Sequence, residues 1–407
     1  MSHINPGDTA FVLLCAALVA IMTPGLAFFY GGLVRHKNVI TIMMQSFASL
    51  GVVTLIWVTV GFTLAFGHDV HGVIGGLNYI FLNNVGQAPN PEYGATIPFL
   101  AFFVFQLTVA ALTPALITGA FADRVPFGSY LVFLVFWSLL VYVPLAHWIW
   151  GGGFLQQWGV LDFGGGMVVH GAAGFSALAS IYVIKKRVFV PGEEEKPSNI
   201  PLIAIGLGLL WFGWLGDNPA GALAANGVAA QAFVNTFIAG GCAMVVWMFT
   251  DWVRTGKVSM VGSLTGVLAG LVAVTPCAGY VPTWAAVFIS LAAGWICYGA
   301  LLFRKKRGWD DSLDVWGVHG VGGLFGTLMV GWFAYGAVNG ARGLMDGNPK
   351  QFGLQLAAVA ITLTYTFAVT WAIFKVIDVV GSLSVAAPVQ ARGLDEALHG
   401  ETAYSLD

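Results

Sequence analysis

Long apolar runs alternate with short polar breaks from one end of the chain to the other. Eleven runs reach the ~20 residues that a helix needs to cross the hydrocarbon core of a bilayer. They lie at roughly 9–31, 39–66, 96–121, 128–149, 161–184, 200–217, 227–252, 258–276, 283–303, 313–335 and 351–378. The runs are continuous and do not alternate, so they read as helices and not as membrane strands. The start, MSHINPGDTA, has no basic stretch ahead of the first run, and that run is too long for a cleavable leader. The polar breaks of any size are 67–95, 185–199 and the tail 379–407, none large enough for a catalytic domain.

The basic residues fix an orientation. Fifteen of the 17 Lys and Arg follow odd-numbered runs or, like Lys375, stand at the end of one; Arg342 and Lys350 are the exceptions. By the positive-inside rule the N-terminus is outside and the C-terminus inside, which requires an odd number of spans. The expected fold class is therefore an all-α polytopic membrane protein of eleven helices. Composition agrees: 58% of residues are apolar and 9% charged, against roughly 25% charged in soluble domains. A net charge of −2 excludes a basic nucleic-acid binder. Cys15, Cys242, Cys277 and Cys297 lie in or beside apolar runs without metal-ligand spacing and read as small buried hydrophobes. The 54 glycines suggest helices in close approach.

Two segments repeat one another. Asp162 to Gly174 and Asp311 to Gly323 both read D-x7-H-G-x-x-G with Val before the histidine. The first helix runs inward and the second outward, so the repeat is inverted, and each histidine falls ~12 Å along a helix from its aspartate. That places His170 and His319 near mid-membrane, where ionisable groups are costly and mark substrate pathways. Asp162 and Asp311 read as N-caps of these helices, and Asp162 also adds negative field at the outer mouth.

At these residues the chain resembles the ammonium transporter, methylammonium permease and Rhesus family. The resemblance runs from TPGLAFFYGGLVRHKN (23–38) through HWIWGGGFL (147–155), DFGGGMVVHGAAG (162–174), AFVNT (232–236), AVTPCAGY (273–280) and DVWGVHGVGG (314–323) to GLDEALHGETAY (393–404). It implies two inverted five-helix halves (1–184 and 200–335), an eleventh helix (351–378) and a cytoplasmic tail (379–407), assembled as homotrimers in the cell (inner) membrane with one pore per subunit. It further implies Trp150 and Phe105 at an outer ammonium-recruitment site supported by Asp162, and His170 and His319 as twin pore histidines. Phe29, Tyr30, Gln106, Tyr142, Trp214 and Thr275 match pore-wall or neighbouring positions. The tail implies a PII signalling protein as partner at the cytoplasmic face. No cofactor is implied, and no Ser/His/Asp set, zinc motif or cofactor fingerprint supports an intramembrane enzyme.

The chain departs from the family pattern at the outer vestibule. Val109 and Asp217 occupy the positions of two stacked phenylalanines, and Gly221 that of a serine; the basic position usual after the last span is absent from VVGSLSVAAP (379–388). A carboxylate at 217 attracts a cation by ~4 kcal/mol at 4 Å and an effective dielectric of 20. The expected function is ammonium recruitment, deprotonation and conduction of ammonia past the histidines; the alternative is an ammonium sensor or altered-affinity variant with little flux. Whether the proton follows through the imidazoles or stays outside is open at this level.

Overall fold

The computed structural model describes residues 3–193 and 195–404; Met1, Ser2, Glu194 and the last three residues of the tail lie outside them. Among the described residues nine helices are long and apolar enough to cross a membrane: α1 (Pro6–Leu33), α2 (His36–Phe66), α3 (Phe99–Ala120), α4 (Phe127–Trp158), α5 (Gly166–Val183), α6 (Ile200–Ala220), α7 (Gly227–Thr255), α9 (Thr283–Arg307) and α11 (Pro349–Val380). Two further helices, α8 (Met260–Val274) and α10 (316–333), stand where the eighth and tenth runs were expected.

Local chemistry sets the boundaries. Asn5, Asn199, Asn226 and Ser259 cap α1, α6, α7 and α8 through side-chain oxygens that accept free backbone N–H groups. The expected run 258–276 is trimmed to 15 residues by the Ser259 cap at one end and a turn after Val274 at the other. The run at 161–184 loses its first residues because Gly165 turns left-handed at φ 108°. α9 ends with Arg304, Lys305, Lys306 and Arg307 over its carbonyl terminus, followed by Gly308 at φ 63°.

Glycine permits the tightest contacts. A Cβ on Gly206 of α6 would stand 2.2 Å from the Phe29 nitrogen of α1, and one on Gly270 of α8 would stand 2.1 Å from the Ala239 oxygen of α7. Backbones this close, with no room for a Cβ between them, are how apolar helices gain packing where no hydrophobic force separates them from lipid.

At one end of the bundle a small hairpin, Asp69–Val70 against Ile74–Gly75, sits on α4. Both ring nitrogens of buried His147 face oxygens of this region, Ala65 O and Asp69 Oδ1, each at 2.9 Å. Burial works against the Asp69 charge, yet the bonds from His147 and the Gly72 N–H hold its carboxyl below its usual range. At the opposite, basic end, the tail folds back over the helix connections. Asp395 accepts the N–H groups of Ile40 and Thr41 at 2.9 and 2.8 Å, while Asn38 Oδ1 accepts the Leu394 N–H at 2.8 Å. A tail carboxylate therefore caps the start of α2. Asp395→Ala is expected to cost about 0.5–2 kcal/mol, the value of a helix cap, and to speed limited proteolysis of the tail.

Candidate functional site

The two histidine helices are built alike. Asp162 accepts N–H bonds from Gly165, Gly166, Met167 and Val168 at 2.6 to 3.4 Å. Asp311 accepts from Val315 and Trp316 at 3.1 and 2.7 Å. The aspartates are thus caps, as the repeat suggests. Each histidine then falls in a π-helical turn, Gly166–Gly171 and Trp316–Gly320. Such turns are rare and concentrate at functional sites.

The repeat brings its two histidines together. His170 Nδ1 and His319 Nδ1 are 3.2 Å apart, both rings are buried, and both Nε2 atoms lack a hydrogen-bond partner. One hydrogen serves the Nδ1 pair, so one ring carries it there and presents a bare Nε2, while the neutral partner presents Nε2–H. The glycines of the motif make this approach possible. A Cβ on Gly174 would stand 2.1 Å from both Cα and N of Gly320, and one on Gly323 would stand 2.7 Å from the Gly166 oxygen and 2.9 Å from His170 Cβ. Sequence reasoning read the histidines from this repeat and passed over the glycines beside them.

Trp214 of α6 stacks on His170 with centroids 5.2 Å apart and donates its indole N–H to Thr275 Oγ1 at 2.8 Å. One turn further along α6, Asp217 lines a cavity of about 220 Å³. The same cavity holds Phe105, Gln106, Val109, Trp150 and Gly221, so five residues of the expected recruitment and gate set share one wall. Trp150 donates its indole N–H to the Asp162 carbonyl at 2.8 Å, which holds the ring in place. Asp217 is 7% exposed and makes no hydrogen bond or ion pair among the described residues. A side chain on Gly221 would meet the Phe163 carbonyl at 2.9 Å, which leaves that wall bare of a hydroxyl.

The remaining expected residues lie elsewhere. Phe29 and Tyr30 line a second cavity of about 280 Å³ at the basic end, together with His319. Tyr30 donates its hydroxyl to the Leu116 carbonyl at 2.9 Å. Asp162 does not line the first cavity, although its neighbours Phe163 and Gly164 do; its side-chain oxygens are turned to the α5 amides. The series Asp217, Trp214, His170, His319 leads from one cavity to the other.

Comparison with known proteins gives a consistent result. Residues 10–404 match the family model described as Ammonium Transporter Family. The chain is similar to the ammonium transporter of Bacillus subtilis (strain 168), with 44% identity over 98% of both chains. Its structure is similar to the crystal structure of Saccharomyces cerevisiae Mep2, with a TM-score of 0.86 and 33% identity over 91% of this chain and 85% of that one. It is also similar to a solved sensor Amt protein, with a TM-score of 0.89 and 28% identity over 97% and 98% of the two chains.

Proposed function

The chain belongs to the ammonium transporter family, a family of multi-pass membrane proteins, and from that premise we propose that it recruits ammonium in the Trp150–Asp217 cavity and conducts ammonia past His170 and His319. The observation that carries the reading is the histidine pair: two buried imidazoles in contact, with both outer nitrogens unpartnered. The proposed topology has eleven spans in two inverted halves, with the N-terminus outside, so that the hairpin end is external and the basic end cytoplasmic. A homotrimer in the cell membrane and a PII protein at the tail face complete the proposal.

Potassium and ammonium are close in size, and a buried apolar passage penalises either ion through lost hydration. Ammonium alone can shed a proton and cross as a neutral molecule. The ring of Trp150 adds about 0.5–2 kcal/mol for a cation resting on its face, and the Asp217 charge in the same cavity adds attraction. Inside the passage the bare Nε2 accepts from ammonia and the Nε2–H donates to it, so the molecule crosses without losing all of its hydrogen bonds.

Proteoliposomes given an ammonium jump are expected to become alkaline inside, with no response to potassium. Replacing both histidines by alanine removes two hydrogen bonds worth about 1 kcal/mol each and is expected to slow uptake about tenfold or more. Undiminished uptake in the double variant overturns the role given to the pair. A sensor is the second reading, favoured by the vestibule carboxylate and the likeness to a sensor Amt protein; saturable ammonium binding without any internal pH change would select it.

A further inference from the structure

Ammonium that crosses as ammonia must give up its proton, to water or to a group of the protein, before it enters the passage. The carboxylates at the hairpin end can be compared one by one. Asp162 has both oxygens bonded to backbone N–H groups. Asp69 is engaged by His147, Gly72 and Gln157, Asp8 by the Ala225 N–H, and Asp346 by the Gly336 N–H. Glu92 is exposed at the rim. Asp217 differs from all of these, being buried on the cavity wall beside Trp150 and Phe105 without a hydrogen bond or ion pair among the described residues. An unpartnered buried carboxylate is costly, and a cation or a proton relieves the cost.

We propose that Asp217 is the proton acceptor for ammonium held in this cavity, and that its proton returns to water on the side from which ammonium came. The proposal rests on the reading that the cavity takes up ammonium. In the step, one N–H bond of ammonium breaks with its electron pair staying on nitrogen, and an O–H bond forms on the carboxylate. The products are ammonia and a neutral carboxylic acid. The attraction that captured the cation disappears at the moment of transfer, because both partners become neutral, so a charged wall does not trap the substrate.

The helix register separates the path of the proton from that of ammonia. Asp217 stands one turn, about 4.5 Å of rise, from Trp214, whose ring covers His170. The indole N–H of Trp214 is already donated to Thr275, and no hydrogen bond links Asp217 to His170 among the described residues. Ammonia passes inward while the acid faces the open cavity, so no net charge crosses.

The titratable groups facing Asp217 are Cys15 of α1, Tyr142 of α4 and Glu92 at the rim. An ordinary thiol and phenol are uncharged in acid, so of the groups facing Asp217 only carboxylates give an acid limb, and its displacement in D217E distinguishes it from protonation of the His170–His319 pair.

The test uses the full-length chain, as wild type, D217N, D217E and E92Q, in proteoliposomes under an ammonium jump, with internal pH and current followed together. Wild type is expected to alkalinise the lumen without a saturating current and to slow as the outside is acidified. That acid limb is expected to survive E92Q. In D217N it is expected to vanish while uptake falls a hundredfold or more, in keeping with the 10²–10⁴ that a positioned base contributes, and D217E is expected to restore most of the rate with a displaced limb. D217N at wild-type rate, an unmoved limb in D217E, or a saturating wild-type current overturns the proposal and leaves the transport reading standing. A wild type that binds ammonium and moves none overturns both. Where D217N does not fold, the limb of D217E decides.

Discussion

Gly174→Ala is expected to slow ammonium-driven uptake at least as far as loss of both histidines does, about tenfold or more, while leaving helix content nearly intact. The added methyl would lie 2.1 Å from two backbone atoms of Gly320, and backbone, unlike a flexible side chain, cannot turn aside. The α5–α10 crossing must open by more than an ångström, and the 3.2 Å contact between His170 and His319 opens with it. Overpacking of this kind costs about 1–3 kcal/mol, occasionally more, which a protein of this size tolerates as a fold. The loss therefore shows in flux first and in thermal midpoint second. Gly51, with nothing within 4 Å of its would-be Cβ, is the control: Gly51→Ala is expected to change neither.

Asp310→Asn carries the second large effect, this time on stability. Asp310 bonds to Arg124 and receives Arg187 Nε at 2.8 Å, and Arg124 is 1% exposed. Burial works against the Asp310 charge, and Arg124 followed by Arg187 overcome it, so its carboxyl titrates below the usual range. Removing the carboxylate leaves a buried guanidinium short of its partner, a loss of about 3–5 kcal/mol, readable as a lower thermal midpoint in detergent. The depressed value sets the pH dependence. The ion pair's stabilisation is complete above the ordinary carboxylate pKa near 4 and is lost as pH falls through the lower folded value. Between pH 5 and 8 this group adds no slope; in stronger acid the wild type loses midpoint towards that of Asp310→Asn.

Much of the molecule was legible from local pattern, because bilayer thickness and the cost of bare amides act on neighbouring residues. The apolar runs locate the long helices, and the capping aspartates at 162 and 311 follow from a carboxylate set before an apolar run. The histidine pair was legible because a repeat survives as letters even when its halves lie 149 positions apart. What the pattern did not carry depends on contacts between distant segments. Asp395 capping α2 joins residues separated by more than 350 positions. Phe29 and Tyr30 fall at the second cavity because α1 packs along α6, which no property of α1 alone determines. The bonding of both Asp162 oxygens depends on how the Gly164–Gly166 turn aims its amides. Asp217 could be flagged as unusual from the sequence, but its lack of a partner belongs to the packed structure.

The shared hydrogen between His170 and His319 has a consequence for direction. Either ring can own it, and moving it from one to the other merely exchanges which end of the pair offers a lone pair and which offers N–H. A joint that works equally well reversed has no forward stroke. On the proposed reading the protein is a leak that admits one molecule. Accumulation then falls to whatever consumes ammonia on the far side, so the pore equilibrates and metabolism pulls.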